Sequence, residues 1–121
     1  MPKRVLAVDD SKTMRDMVNF TLSGAGFEVI EAEDGVQALK KLGNDRVDLI
    51  ITDVNMPNMD GITLIRELRA NPNHKATPIL VLTTESDGDK KNAGRSAGAT
   101  GWVVKPFDPD KLIATVAKVC P

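Results

Sequence analysis

The chain has 121 residues, a length that fits one domain with a substantial core. Lys and Arg total 16 against 17 Asp and Glu, a formal net charge of -1, which removes any global attraction to nucleic acid or anionic lipid; the single cysteine excludes an internal disulfide. No run approaches the roughly 18 apolar residues of a membrane span, and the apolar stretch in MPKRVLAVDD is too short for a signal peptide. The expectation is therefore a cytoplasmic monomer, one domain over residues 1–121, without membrane insertion.

The first predicted element is a strand, RVLAV (4–8), which runs straight into Asp9 and Asp10. Two like charges about 4 Å apart cost on the order of 4 kcal/mol at an effective dielectric of about 20, so the pair asks for a counter-charge. Met14, Met17, Val18, Thr21, Leu22 and Ala25 follow at helical spacing, with Asp10 as an expected N-cap and GAG (24–26) as the stop. Asn19 heads a glycosylation pattern, NFT, that a cytoplasmic chain does not use. EVIEA (28–32) is the next strand, then a helix on Val36, Leu39 and Leu42, and then the strand DLIIT (48–52), which ends at Asp53. Ile62, Leu64, Ile65 and Leu68 mark the third helix, and NPNHKATP is a loop in which His74 reads as solvated.

PILVLT (78–83) is the fourth strand, ending in Thr83 and Thr84. Residues 87–97, DGDKKNAGRSA, hold two glycines, each costing about 1 kcal/mol against alanine, and only Ala93 and Ala97 are apolar at helical spacing, so the fourth helix is expected to be marginal and mobile. The same stretch is no calcium loop: Lys91 stands at the fifth position and the terminal glutamate is missing. The last strand, GWVV (101–104), ends at Lys105, and in DPDKL Asp108 caps a helix with Pro109 at its first position. Leu112, Ile113, Val116 and Val119 give that helix its apolar face, and Cys120 packs with them. Apart from EVIEA the strands are too uniformly apolar to be half exposed, and the βα unit recurs five times. This predicts a doubly wound α/β sandwich on a parallel sheet covered on both faces.

In such a sheet, ligands gather beyond the carboxyl ends of the strands. The residues there are Asp9, Asp10, Asp53, Thr83 and Lys105. Each has an ordinary reading alone: a cap, a turn residue, a strand-end hydroxyl, a solvated charge. Together they are a site. Three carboxylates need a cation, and their hard oxygens with few protein ligands suit Mg²⁺ before Ca²⁺. Metal and Lys105 would then bring the charge near zero, so the pocket could take a phosphoryl group onto Asp53, with Thr83 donating a hydrogen bond.

The blocks VDDS, ITDVNMPNMDG, VLTT and GATGWVVKPF, spaced along the whole chain, resemble those of response-regulator receiver domains, most closely the single-domain, CheY-like chemotaxis kind. The resemblance implies a flavodoxin-like fold with strand order 2-1-3-4-5. It further implies that Asp53 accepts phosphate from a CheA-like histidine kinase, and that Asp10 binds Mg²⁺ directly and Asp9 mainly through water, the Asn55 backbone carbonyl completing the set. Lys105 would hold a phosphoryl oxygen and precede a cis bond to Pro106. Thr83 would move toward the phosphoryl group as Trp102 turns inward, and the Asn55 and Glu85 side chains would tune dephosphorylation. The protein would promote only its own phosphorylation and dephosphorylation, and would signal by binding a flagellar motor switch or another downstream protein, with a phosphatase to reset it. A phosphate sink or a phosphorelay intermediate are the alternative outputs. Trp102, Thr84 and the polar fourth helix depart from the family pattern.

Rival readings fare worse. An FMN-binding flavodoxin-like protein needs a phosphate-cradling loop after the first strand and aromatics to sandwich the ring, yet that loop is DDSK and the chain has no tyrosine. An aspartyl phosphatase would place nucleophile and acid two residues apart after one strand, whereas here the candidate nucleophile sits on another strand. A phosphorylation-independent adaptor leaves the complete residue set without a purpose.

Overall fold

The computed structural model describes residues 2–43 and 45–120. Strands β1 (Arg4–Val8), β2 (Glu28–Ala32), β3 (Leu49–Thr52), β4 (Ile79–Thr83) and β5 (Gly101–Val104) alternate with helices α1 (Lys12–Gly24), α2 (Gly35–Leu42), α3 (Gly61–Ala70), α4 (Gly88–Ala97) and α5 (Pro109–Val119). The strands pair in parallel in the order β2-β1-β3-β4-β5. That is the flavodoxin-like sandwich implied by the family resemblance.

Strand side chains alternate between two apolar layers, as the two-residue period requires. Val5, Ala7, Leu49, Ile51, Leu80 and Leu82 face α1 and α5, where Val18, Leu22, Leu112 and Val116 cover them. Leu6, Val8, Ile50, Ile79 and Val81 face the other way, under Ala38 and Leu42 of α2 and Leu64, Ile65 and Leu68 of α3. Each fully buried leucine or isoleucine contributes roughly 1.5–3 kcal/mol. Cys120 belongs to the first layer, 7 % exposed, as expected from its place in the apolar pattern.

Three local expectations are corrected. Ser11, not Asp10, caps α1: its hydroxyl accepts the Met14 N–H at 3.2 Å, which leaves the Asp10 carboxylate exposed and free of that duty. β5 is not buried on both faces, because it is the sheet edge, and Val104 is 45 % exposed. α4 itself forms over the expected stretch, capped by Asp87 and closed by Gly98 at φ 116°.

His74 is the third correction, since it is buried at 1 % exposure rather than solvated. The turn after α3 folds back on itself: the Asn71 carbonyl accepts the His74 N–H at 3.0 Å, and the Asn71 side chain accepts the Asn73 N–H at 2.9 Å. Arg69 locks the turn from outside, donating to the carbonyls of His74 (2.9 Å), Lys75 (3.2 Å) and Thr77 (2.6 Å), and to that of Gly98 at the end of α4 (2.8 Å). Neither ring nitrogen of His74 has a protein hydrogen-bond partner among the described residues, and burial, then the charge of Arg46, holds its pKa below 6.5. The unfolded chain therefore takes up a proton that the folded chain refuses, and stability falls as pH drops below about 6.5. In His74→Leu this part of the loss disappears, and chemical-denaturation midpoints at pH 7.5 and 5.5 should lie closer together than in the parent.

Candidate functional site

The site lies beyond the carboxyl ends of β1, β3 and β5, and the sheet ladder itself assembles it. Ladder bonds continue one residue past the strands: the Asp9 N–H donates to the Ala32 carbonyl (3.1 Å), that of Asp53 to Val8 (3.0 Å) and that of Lys105 to Thr83 (2.7 Å). Asp9, Asp53 and Lys105 are thereby held at one edge by backbone rather than by loops. The Lys105 Nζ donates to Asp9 Oδ2 at 2.6 Å and to Asp53 Oδ2 at 3.0 Å, its side chain 8 % exposed. The peptide bond from Lys105 to Pro106 is cis.

The remaining carboxylate oxygens are also oriented. Asp9 Oδ1 accepts the Ser11 N–H at 2.9 Å, and Asp53 Oδ1 accepts those of Val54 at 2.6 Å and, at a long 3.4 Å, Asn55. Arg15 reaches under the pair, donating to the Asp9 carbonyl at 2.7 Å and to Glu31 at 3.3 Å. Burial, the largest influence on Asp9, raises its pKa against the hydrogen bonds from Lys105 and Ser11. Burial also works against the Lys105 charge, but the bonds to Asp9 and Asp53 outweigh it and raise the pKa. An ammonium between two carboxylates keeps its proton.

Asp10 stands apart: it is exposed, and its carboxylate makes no hydrogen bond among the described residues. One oxygen from each of Asp9, Asp10 and Asp53 lies within 4.8 Å of the others. Three carboxylates against one ammonium leave net negative charge, and every donor is a hard oxygen with a spare lone pair. The residues present fit a small divalent cation. Asp10 and the exposed Asn55 also line a groove of about 760 Å³ between the N-terminal parts of α3 and α4, so the cluster is open on that side.

Thr83, Glu85 and Trp102 form a second, connected group. The buried Thr83 hydroxyl accepts the Glu85 N–H at 3.1 Å, which leaves its own hydrogen free to donate. The Glu85 carboxylate accepts the Asp87 N–H at 3.0 Å and so steadies the start of α4. The Glu85 carbonyl accepts the Trp102 Nε1–H at 3.1 Å, and the indole is already half-buried against the layer beneath α2 and α3.

Two residues that the chemistry of the strand ends did not single out prove structural to the site. Gly61 opens α3, its N–H donating to the Val54 carbonyl at 2.8 Å, and a Cβ there would lie 2.0 Å from the Asp53 carbonyl oxygen. Arg15 is the other. The sequence signals for Gly61 were its place at the end of the block ITDVNMPNMDG and directly after Asp60, which caps α3 through the Thr63 N–H at 2.7 Å.

A model of the response regulator receiver domain matches residues 5–117. Chemotaxis protein CheY1 of Helicobacter pylori J99 is 43 % identical over 111 residues, 90 % of each chain. Response regulator MprA of Mycobacterium sp. KMS is 40 % identical over 114 residues, 94 % of this chain but 49 % of MprA. Among solved structures, CheY4 of Vibrio cholerae superposes with a TM-score of 0.94 at 50 % identity, over 98 % of this chain and 99 % of its own. The receiver domain of the Pseudomonas aeruginosa sensor histidine kinase PA1611, which has a magnesium ion coordinated in its active-site cleft, superposes at 0.92 with 27 % identity, over 99 % of this chain and 98 % of its own.

Proposed function

The chain belongs to the response regulator receiver domain family and is homologous to CheY chemotaxis regulators, and on that premise we propose that it takes a phosphoryl group from a phosphohistidine of a CheA-like kinase onto Asp53. The observation that carries this reading is Lys105 bridging Asp9 and Asp53 inside a cluster that also includes Asp10. An Asp53 carboxylate oxygen attacks phosphorus, the bond from phosphorus to the donor nitrogen breaks, and the electron pair leaves with the imidazole. The Val54 N–H fixes the rotamer of the attacking carboxylate, and the Lys105 ammonium shifts its hydrogen bonds from carboxylate to phosphoryl oxygen. Thr83 donates its free hydroxyl hydrogen to another phosphoryl oxygen.

Asp9, Asp10, Asp53 and the Asn55 carbonyl are the residues that would hold Mg²⁺, which supplies positive charge against the phosphoryl oxygens. With Mg²⁺ and a small donor such as acetyl phosphate, the intact mass should rise by one phosphoryl group, and chelation with EDTA should prevent it. No gain in mass under these conditions overturns the reading. The two adjacent aspartates should contribute unequally: both Asp9 oxygens are committed to Lys105 and Ser11, whereas those of Asp10 are free. Asp10→Ala should weaken Mg²⁺ binding about tenfold or more, ~1.4 kcal/mol, by calorimetric titration, and more than Asp9→Ala. The reverse order would exchange the two roles.

The output follows from the connected group. If the Thr83 side chain rotates so that its oxygen moves toward the phosphoryl group, the Glu85 N–H loses its acceptor and the segment leading into α4 is released. The surface around α4 and Trp102 then presents differently to a cytoplasmic partner, a motor switch protein being the reading favoured by the CheY relatives. A single receiver domain over residues 1–121, reset by hydrolysis under the influence of Asn55 and Glu85, completes the proposal.

A further inference from the structure

Gly94 looks like a defect in α4, since glycine in a helix interior is less favourable than alanine. It is nevertheless the one residue of α4 that is buried. A Cβ built there would lie 2.8 Å from Cζ3 of Trp102 and 3.3 Å from Cε3, closer than non-bonded carbon atoms pack. The indole is also held from its other end, where Nε1–H donates to the Glu85 carbonyl at 3.1 Å. The ring is thus clamped between a hydrogen bond and a gap in a helix, and cannot retreat from an intruding methyl group without stretching that bond.

We infer that Gly94 is a positioning residue, whose missing side chain makes the seat that holds the Trp102 ring inward and couples it to α4. The inference extends the reading of Trp102 as part of the output group. Its structural half, however, stands without phosphorylation. The chain of influence runs through two hydrogen bonds, from Thr83 to the Glu85 backbone and from Glu85 to the indole, and then through packing of the indole against the α4 backbone at Gly94. A side chain at 94 breaks the last link only. It touches none of the residues that hold the phosphoryl group.

The test is a double-mutant cycle on the full chain, read by melting temperature and by Trp102 fluorescence, Trp102 being the only tryptophan. In the parent, Gly94→Ala should lower the melting temperature, shift Trp102 emission to the red and increase its quenching by acrylamide, as the ring is pushed into water. In the Trp102→Ala background the same Gly94→Ala change should raise the melting temperature, because only helix propensity then remains. A rise of equal size in both backgrounds, with unchanged emission, overturns the inference. After treatment with acetyl phosphate and Mg²⁺, Gly94→Ala should gain the same mass as the parent but lose the parent's phosphorylation-linked change in emission. If it retains that change, the coupling role fails even if the seat is real. If instead the parent gains no mass, the phosphorylation reading fails, while the outcome of the cycle still decides the seat.

Discussion

Asp53→Asn is expected to abolish phosphorylation: in the presence of Mg²⁺ and acetyl phosphate its intact mass should stay unchanged, the initial rate falling by about 10⁴-fold or more, on the order of 5 kcal/mol in barrier. The loss is chemical rather than structural. Asparagine keeps one oxygen for the Val54 N–H, its NH₂ replaces the oxygen that accepted from Lys105, and Lys105 retains its bond to Asp9; the neutral amide is a far poorer nucleophile. One of three crowded acidic groups also disappears, so the melting temperature should not fall. A phosphoryl mass that persists in Asp53→Asn would move the acceptor to Asp9 or Asp10. An unfolded variant would contradict the account of the site as a repulsive cluster held together by one ammonium.

Gly61→Ala is expected to have the largest effect on stability of any conservative substitution near the site. The new Cβ would fall 2.0 Å from the Asp53 carbonyl oxygen and 3.0 Å from Val54 Cα, both backbone atoms that no rotamer change can move aside. Either α3 slides away, losing the Gly61 N–H bond to Val54, or the backbone of Asp53 itself is displaced. Overpacking of this kind costs roughly 3 kcal/mol, about 10 °C in melting temperature for a domain of this size. Phosphorylation should also slow, because the strained atom belongs to the proposed acceptor. Thermal melts and the mass assay, run on one preparation, check both halves. A melting temperature within a degree or two of the parent would show that α3 can shift without cost.

The sheet was legible because its physics is local. Apolar runs between helical periods specify parallel strands, and parallel strands put their carboxyl ends, hence Asp9, Asp10, Asp53, Thr83 and Lys105, at one edge. Their mutual distances were not legible, since Lys105 lies 52 residues from Asp53 and only the finished ladder sets the 3.0 Å between them. His74 was misread for the same reason. Nothing in NPNHKATP shows that Arg69, on the preceding helix, will gather the carbonyls of that loop and fold the ring inside. Gly94 was counted as a weakness because propensity was weighed without the neighbour that uses it, and the half-open β5 followed from an edge position that composition cannot reveal.

Arg69 has a mechanical consequence. By binding the Gly98 carbonyl as well as those of the turn after α3, it rivets the C-terminal end of α4 to a part of the molecule that takes no part in the chemistry. Among the described residues the N-terminal end of α4 has no such fastening and is joined to Thr83 through Glu85 and Asp87. A helix pinned at one end and driven at the other behaves as a cantilever: displacement is greatest at the driven tip and vanishes at the rivet. On the proposed reading, a partner that senses phosphorylation would gain most by gripping the tip, around Asp89 and Lys90, and least by gripping the far end near Ala97.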